Sequence, residues 1–349
     1  MEDKKTYASP ESFAMNGGKG PSSYAQNSIY QREAAEAAKE KINKAIADHF
    51  DIKTLSASLN SVLQNIIEAI KLQYISKGVH TEIPEFIVFF NDHVSNDFNT
   101  LFKSLPLNKQ YIAAGVPGSF HGRLFPKESL HFIHSSFALQ WLSKVPIEVM
   151  DEGSPAWNKG RIFYTNAQKE VVEAYATQFA KDIDSFVFAR AQELVVGGLL
   201  ALFIPAIPDV MSNSDTFIGT ELDLLGSCLM DMAKVGLGSE AKVDAFNLPA
   251  YVTTTKVLNA LIERNQHFNF ERMEILNNKS KYLTLCNPSM RSLFLRSAFE
   301  GVLEKHFGND IMDELFNRYT EKVAESSFFL NAEANKSIVL LVLLKRNNY

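Results

Sequence analysis

The stretch FIVFFND, at Phe86–Asp92, is a short, continuous apolar run closed by two polar residues. Its length and its aromatic side chains favour a strand that is buried on both faces. Two further apolar runs, Tyr111–Val116 and Leu130–His134, follow along the chain and are separated by turn-forming residues. Because such strands alternate with helical segments, the sequence predicts an α/β fold built around a sheet.

Helical segments surround these strands. Ile29–Phe50 is rich in Ala, Glu and Lys, and Ser61–Lys77 carries apolar residues on one face. Asn96 is the expected N-cap of the helix that follows the apolar run Phe86–Asp92. A long helix is predicted over 166–194, with a break at Gly197-Gly198 before the chain returns as a strand.

The 349 residues divide into an arm, a sheet-forming core and a cap. Residues 1–28 are rich in Gly, Ser and Asn and form the arm, whereas 206–324 form a mainly helical cap. The core comprises 29–205 and 325–349, whose apolar run Ile338–Leu344 is predicted to rejoin the sheet as a strand. That run is far shorter than the ~20 residues of a membrane-spanning helix.

Composition argues against several classes of partner. The net charge is −5 and the basic residues are scattered, so neither nucleic acid nor a membrane surface is expected as a partner. The two cysteines, Cys228 and Cys286, cannot build a disulfide framework and fit a reducing compartment. Since no apolar segment follows Met1–Lys5, no secretory signal is evident, and we expect a cytoplasmic protein.

Three strand ends carry residues of chemical interest. An acid such as Asp92, at the carboxyl end of a strand, often accepts hydrogen bonds from ribose hydroxyls, although a turn cap is an equally good interpretation. Ser119 and Phe120 offer a hydroxyl and a ring for a purine, but taken alone they favour an ordinary turn with a core aromatic. Trp141 carries an indole N–H donor, and by itself it favours core packing.

Other catalytic patterns are missing from the sequence. It contains no nucleophilic triad, no HExxH motif, no Walker loop and no metal-type cluster of Cys and His. His131 and His134 are an odd number of residues apart, so on a strand they point to opposite faces. A zinc site is therefore not expected there.

Taken together, nine segments resemble the plant SABATH methyltransferases, which transfer a methyl group from S-adenosylmethionine to small acids. The resemblance covers nearly the whole chain. Its motifs are MNGGKG (Met15–Gly20), SYAQNS (Ser23–Ser28), QR (Gln31–Arg32), FND (Phe90–Asp92), NDFN (Asn96–Asn99), VPGSF (Val116–Phe120), SS (Ser135–Ser136), WLS (Trp141–Ser143) and DAFN (Asp244–Asn247).

The resemblance implies a Rossmann-like methyltransferase sheet with a helical cap, the arm lying over the active site, and a homodimer. It also implies roles for individual residues. The S-adenosylmethionine site would comprise Tyr24, Asp92, Ser119, Phe120 and Ser136. The substrate carboxylate would be bound by Gln31 and Trp141, with Gln140 also in the substrate pocket, at a position where the family often has His or Met. A Mg²⁺ site would comprise Asn158, Asp244, Phe246 and Asn247, whose oxygens suit this ion.

One departure from the family pattern concerns a glycine-rich loop. Family members carry a first sheet strand and a glycine-rich loop between the first two helices, where backbone approaches the ligand closely. Here 52–60 runs straight into the next predicted helix, and no glycine occurs from Ile29 to Lys77. The first strand and its loop are therefore expected to be deleted.

Two functions are compatible with the sequence. The first is methyl transfer to the carboxylate of a small apolar acid, which is already ionised at neutral pH and needs no general base. The alternative is a non-catalytic relative or partner subunit that lost cofactor binding together with the loop.

Overall fold

The computed structural model describes residues 15–18, 20–49, 66–72, 75, 85–209, 217–276, 287–330 and 337–348. The segment of the expected deletion, most of the predicted helix at 61–77, and Cys286 lie outside these residues. The helices are α1 (Tyr24–Asn27), α2 (Ile29–His49), α3 (Phe98–Ser104), α4 (Lys169–Glu193), α5 (Phe217–Lys234), α6 (Glu240–Asp244), α7 (Thr255–Glu263), α8 (Pro288–Phe307), α9 (Met312–Glu325) and α10 (Ser327–Leu330). The strands are β1 (Ile87–Asp92), β2 (Ile112–Pro117), β3 (Leu130–Ser136), β4 (Leu194–Ile207), β5 (Thr253–Thr254), β6 (Phe268–Leu276) and β7 (Ile338–Arg346).

The strands of the described residues form two sheets. β1 and β2 pair in parallel, from Ile87 opposite Ile112 to Asp92 opposite Pro117. The larger sheet has the order β3-β4-β7-β6, with β5 beside β4. In it β3 is parallel to β4, and β7 is antiparallel to both of its neighbours. Among the described residues, no backbone ladder joins β1 to β3.

Side-chain packing connects the two sheets. Val88 of β1, Phe132 of β3 and Leu199 of β4 belong to one buried cluster, together with Ala38 of α2. The small alanine side chains along α2 allow this helix to lie close to β4, β6 and β7 of the larger sheet. A second buried cluster includes Phe186 of α4, apolar side chains of the cap, and those on the opposite face of the larger sheet.

The strands expected from the apolar runs are confirmed, but the predicted break at Gly197-Gly198 is wrong. β4 passes through both glycines. Gly197 adopts a positive φ of 81°, and a Cβ atom on Gly198 would lie only 2.9 Å from the carbonyl oxygen of Val195. The register between β3 and β4 shifts at this point, so the glycines form an irregularity within the strand.

Two further details differ from, or add to, the sequence prediction. The N-cap of α3 is Asp97 and not Asn96, because the Asp97 carboxylate accepts a 2.9 Å hydrogen bond from the backbone N–H of Thr100. The segment 206–324 contributes β6 to the sheet in addition to its helices. No helix within the described ranges is long and apolar enough to cross a membrane.

A buried ion pair holds the helices of the cap together. Arg291 of α8 lies 3.2 Å from a carboxylate oxygen of Glu221 on α5, and both side chains are almost fully excluded from solvent. The hydroxyl of Tyr319 on α9 donates a 2.9 Å hydrogen bond to the same carboxylate. Burial raises the pKa of Glu221, and the positive charge of Arg291 opposes that rise.

Candidate active site

Tyr24, Gln31 and Asp92 come together at the carboxyl end of β1. Burial raises the pKa of the Tyr24 hydroxyl to about 12; a hydrogen bond with the Gln31 side chain lowers it, and the negative charge of Asp92 adds to the rise. The first turn of α2 supplies Gln31 and the end of β1 supplies Asp92. Tyr24 is therefore protonated at neutral pH and can serve as a hydrogen-bond donor.

Gln31 has spare hydrogen-bonding capacity in this group. Its side-chain oxygen is buried and has no hydrogen-bond partner among the described residues. Leaving a buried amide oxygen unpaired costs about 1–3 kcal/mol. A ligand with complementary polar groups would remove that cost.

Asp92 lies where its strand ends and its carboxylate is exposed. One carboxylate oxygen accepts a 2.7 Å bond from the backbone N–H of His93, and the other accepts a bond from the Asn96 amide. The neighbouring Asn91 amide donates to the carbonyls of Val116 at 2.8 Å and Gly118 at 3.0 Å. Asp92 thus caps a turn, and Asn91 ties the ends of β1 and β2 together.

Ser119 and Phe120 follow the end of β2. Ser119 is exposed, and its hydroxyl lies 3.4 Å from the backbone N–H of His121, which donates to it. The half-buried Phe120 ring packs against Phe186 of α4, with ring centroids 6.2 Å apart, and against His121 at 4.4 Å. The predicted aromatic ring therefore packs between the loop after β2 and α4.

Gln140 and Trp141 lie where the core meets the cap. The Trp141 ring packs against Phe299 of α8 with centroids 5.6 Å apart, and its backbone forms an antiparallel bridge with Ala250. The Gln140 amide donates a 2.7 Å bond to the carbonyl of Phe137, which leaves its side-chain oxygen buried and unpaired within the described structure. Ser136 lies at the end of β3, opposite Phe203 of β4.

Two connections bring these groups near one another. The Tyr30 ring, next to Gln31, lies 5.8 Å from that of Phe137, at the start of the segment that carries Trp141. In the arm, Asn16 accepts a 2.8 Å bond from the Tyr24 N–H and donates one of 3.1 Å to the carbonyl of Ser297 on α8. Within the described ranges no hydrogen bond joins Gln31 to Trp141 directly.

The expected metal ligands form a hydrogen-bonded cluster of their own. The Asn158 amide donates a 2.7 Å bond to Asn247, and the Gly160 N–H donates a 2.6 Å bond to Asp244. The side-chain oxygen of Asn158 is buried without a partner in the described structure. That oxygen and the Asp244 carboxylate suit a hard cation, although no group of three or more His, Cys, Asp or Glu side chains is found among the described residues.

Three charged residues of α4 support the site and were not identified from the sequence. Asp182 binds the segment that carries Trp141, and Arg190 with Glu193 binds the loop that carries Phe120. All three are buried. Charged residues on the apolar face of a long helix are a signal that could have revealed them, because buried charges require partners.

The comparisons with known proteins agree on one family. A sequence profile described as SAM-dependent carboxyl methyltransferase matches residues 10–347. Loganic acid O-methyltransferase of Catharanthus roseus is 42% identical over 96% of this chain and 95% of its own length. Farnesoic acid carboxyl-O-methyltransferase of Arabidopsis thaliana is 40% identical over 96% and 99%, respectively.

A solved structure described as loganic acid methyltransferase with SAH has a TM-score of 0.90 to this chain. It shares 42% sequence identity and the match covers 96% of this chain and 99% of that one. The chain therefore belongs to the family of SAM-dependent carboxyl methyltransferases, and the resemblance noted from its motifs is confirmed.

Proposed function

We propose that this protein transfers the methyl group of S-adenosylmethionine to the carboxylate of a small, largely apolar acid. The observation that carries the proposal is the convergence of Tyr24, Gln31 and Asp92 beside the end of β1. Family membership supports it, as do the acids named for two relatives and the SAH in the similar structure.

The proposed cofactor site lies along the ends of three strands. Asp92 would accept hydrogen bonds from the ribose hydroxyls, and its exposed carboxylate is free to exchange its turn contacts for them. Ser119 and Phe120 would frame the adenine, Tyr24 would donate its hydroxyl to the ligand, and Ser136 would lie along it.

The proposed acid site uses neutral donors. Gln31 and Trp141 would donate hydrogen bonds to the carboxylate, and Gln140 would contribute to the pocket beside them. The amide of Gln31 can rotate to direct its N–H₂ at the acid, because its side-chain oxygen has no hydrogen-bond partner among the described residues that would hold it in place.

The chemistry requires positioning and not proton transfer. When bound, S-adenosylmethionine supplies a methyl group on a positively charged sulfur. Since the acid is already ionised, Gln31 and Trp141 have only to hold its carboxylate in line, which can contribute several kcal/mol. Neutral donors suit this task, because an arginine would stabilise the ground-state carboxylate more strongly than the transition state, in which its charge fades.

A specific observation keeps the non-catalytic alternative in view. The alignment with loganic acid O-methyltransferase spans 355 positions, more than the 349 residues of this chain, so some aligned positions have no counterpart here. This difference in length supports the proposed deletion.

Calorimetry with S-adenosylmethionine distinguishes the two functions. The enzyme hypothesis predicts saturable binding and ester formation from a panel of acids that includes loganic and farnesoic acids. Absence of binding at high micromolar cofactor would leave only the non-catalytic alternative. Sequencing the transcript between Asn60 and Ser61 would test the deletion itself.

We also infer from the family resemblance that Asn158, Asp244, Phe246 and Asn247 hold Mg²⁺ in a structural role. The unpaired oxygen of Asn158 supports this inference. A melting temperature that rises with MgCl₂, and does not rise in Asp244→Asn, is the expected result. The same resemblance suggests a homodimer, which light scattering tests, and we propose a cytoplasmic location, which fractionation tests.

A further inference from the structure

Helix α4 carries charged side chains on the face that it buries. Asp182, Arg190 and Glu193 are 6%, 3% and 0% exposed, respectively. A buried charge is strongly destabilising unless it is paired, so these residues must be held by specific partners. Their partners lie in the two segments proposed to bind the acid and the cofactor.

Asp182 binds the segment after β3 that carries Trp141 and Ser143, which we call the acid-binding segment. One carboxylate oxygen accepts a 2.8 Å hydrogen bond from the backbone N–H of Ser143, and the other accepts a 2.6 Å bond from the Ser143 hydroxyl. The Gln178 amide, one turn earlier on α4, donates a third bond of 2.9 Å. Because Ser143 is two residues from Trp141, Asp182 determines where the acid-binding segment lies relative to α4.

Arg190 binds, in the same way, the loop after β2 that carries Phe120, which we call the cofactor loop. Its guanidinium donates to the carbonyls of Phe120 at 2.9 Å and Gly122 at 2.8 Å. Two further bonds, of 2.7 and 2.9 Å, pair it with Glu193, which in turn accepts a 3.0 Å bond from the Phe125 N–H. A lysine could not reproduce this planar arrangement of donors.

The two anchors belong to one row along the helix. Asp182, Phe186 and Arg190 are spaced by four residues, so they follow one side of α4 over about 12 Å. Phe186, between the anchors, packs against the Phe120 ring and lies under the Arg190 guanidinium at 5.1 Å. A rigid helix therefore holds both segments at a defined separation.

His121 occupies the space between the anchors. It lies against Phe120, and its ring interacts with the backbone carbonyl of Trp141. Burial lowers its pKa, while the charges of Asp182 and Arg190 act on it in opposite directions. The cofactor loop and the acid-binding segment thus meet at His121.

We propose that Asp182 and Arg190 are positioning residues, which through α4 set the distance between the acid carboxylate and the methyl donor. This inference rests on the proposed function. Asp182 acts on the acid through Ser143 and Trp141, and Arg190 acts on the cofactor through the backbone of the Phe120 loop.

The test compares Asp182→Asn with Arg190→Lys by steady-state kinetics and cofactor calorimetry. Asp182→Asn should raise the KM for the acid and lower kcat, on the order of tenfold each, since small misplacements are costly in methyl transfer. Its S-adenosylmethionine Kd should stay within about twofold, because Asp182 does not bind the cofactor loop. Arg190→Lys should raise that Kd about tenfold and leave the acid KM, at saturating cofactor, unchanged.

The Asp184–Arg264 ion pair offers matched controls. Both side chains are about half exposed, and Asp184 lies on α4 two residues from Asp182. Asp184→Asn and Arg264→Lys should leave all constants unchanged, because exposed ion pairs contribute little. If Asp182→Asn does not fold, Ser143→Ala removes one of the same bonds with less disturbance. It should raise the acid KM and lower kcat in the same direction, and leave the cofactor Kd unchanged.

A readout independent of activity separates this proposal from the proposed function. In a Trp157→Phe background, Trp141 is the remaining tryptophan. Asp182→Asn should shift its emission and increase quenching by acrylamide, whereas Arg190→Lys should not. If wild-type protein fails to bind S-adenosylmethionine, the proposed function is wrong, but this fluorescence test still applies. Equal effects of both variants on both ligands, or unchanged fluorescence in Asp182→Asn, would overturn the positioning role.

Discussion

Trp141→Phe is the most informative single change in the acid site, because it removes a donor and keeps an aromatic ring. The indole N–H is proposed to bind the substrate carboxylate, and a hydrogen bond to a charged group contributes about 1.5–3 kcal/mol. Its loss should raise the Kd for the acid about 10- to 150-fold.

The structure indicates that the backbone will stay in place in this variant. The N–H of Leu142 donates a 2.7 Å bond to Pro249, and the N–H of Tyr251 donates a 2.8 Å bond to the carbonyl of Gln140. A phenylalanine ring can still pack against Phe299. Trp141→Ala would also lose this ring contact, worth about 0.5–1.5 kcal/mol, and should weaken acid binding further.

Calorimetry measures the effect most directly. The acid that supports turnover is titrated into protein saturated with the product S-adenosylhomocysteine, and cofactor binding is measured separately. We expect the acid Kd to rise while the cofactor Kd stays within about twofold. A matching loss of both affinities, or an unchanged acid Kd in Trp141→Phe, would contradict the role of the indole donor.

Three further changes test other parts of the structure. Asp92→Asn should raise the S-adenosylmethionine Kd about tenfold in calorimetry, since charged acceptors make the stronger hydrogen bonds, and an unchanged Kd would argue for the turn cap alone. Gly118→Ala should cost about 1–3 kcal/mol of stability in urea unfolding, because Gly118 has a φ of 151° and a Cβ would lie 2.8 Å from Leu124; full stability would contradict this. Arg291→Met should cost about 3–5 kcal/mol at pH 7 by leaving the buried Glu221 charged without its positive partner. Burial raises the pKa of Glu221, so a falling pH protonates it more readily in the folded state and the loss should be smaller near pH 5; a loss independent of pH would refute this account.

Local patterns in the sequence predicted several elements well. The apolar run at Phe86–Asp92 forms β1, and the one at Ile338–Leu344 lies in β7, between two antiparallel neighbours. The glycine pair at 197–198 was misinterpreted, because glycine ends a helix and also allows an irregular strand, and only pairing with β3 distinguishes the two.

The candidate site was predicted in part. Tyr24, Gln31 and Asp92 do come together, although the two polar segments that carry them are about 60 residues apart in the sequence. Their individual ligands remain predictions. The supporting contacts of Asp182 and Arg190 were missed, because hydrophobic periodicity describes which face of a helix is buried and not which polar groups that face meets.

The sequence by itself determined the family, the α/β class and the residue types available for binding, because these follow from ordered motifs and local periodicity. Only the tertiary structure decided that the described strands pair as two sheets and that one helix holds both site segments. Those features depend on contacts between residues far apart in the chain. Such contacts form only when α4 packs against the loops after β2 and β3, and a buried carboxylate or guanidinium then has to be satisfied there.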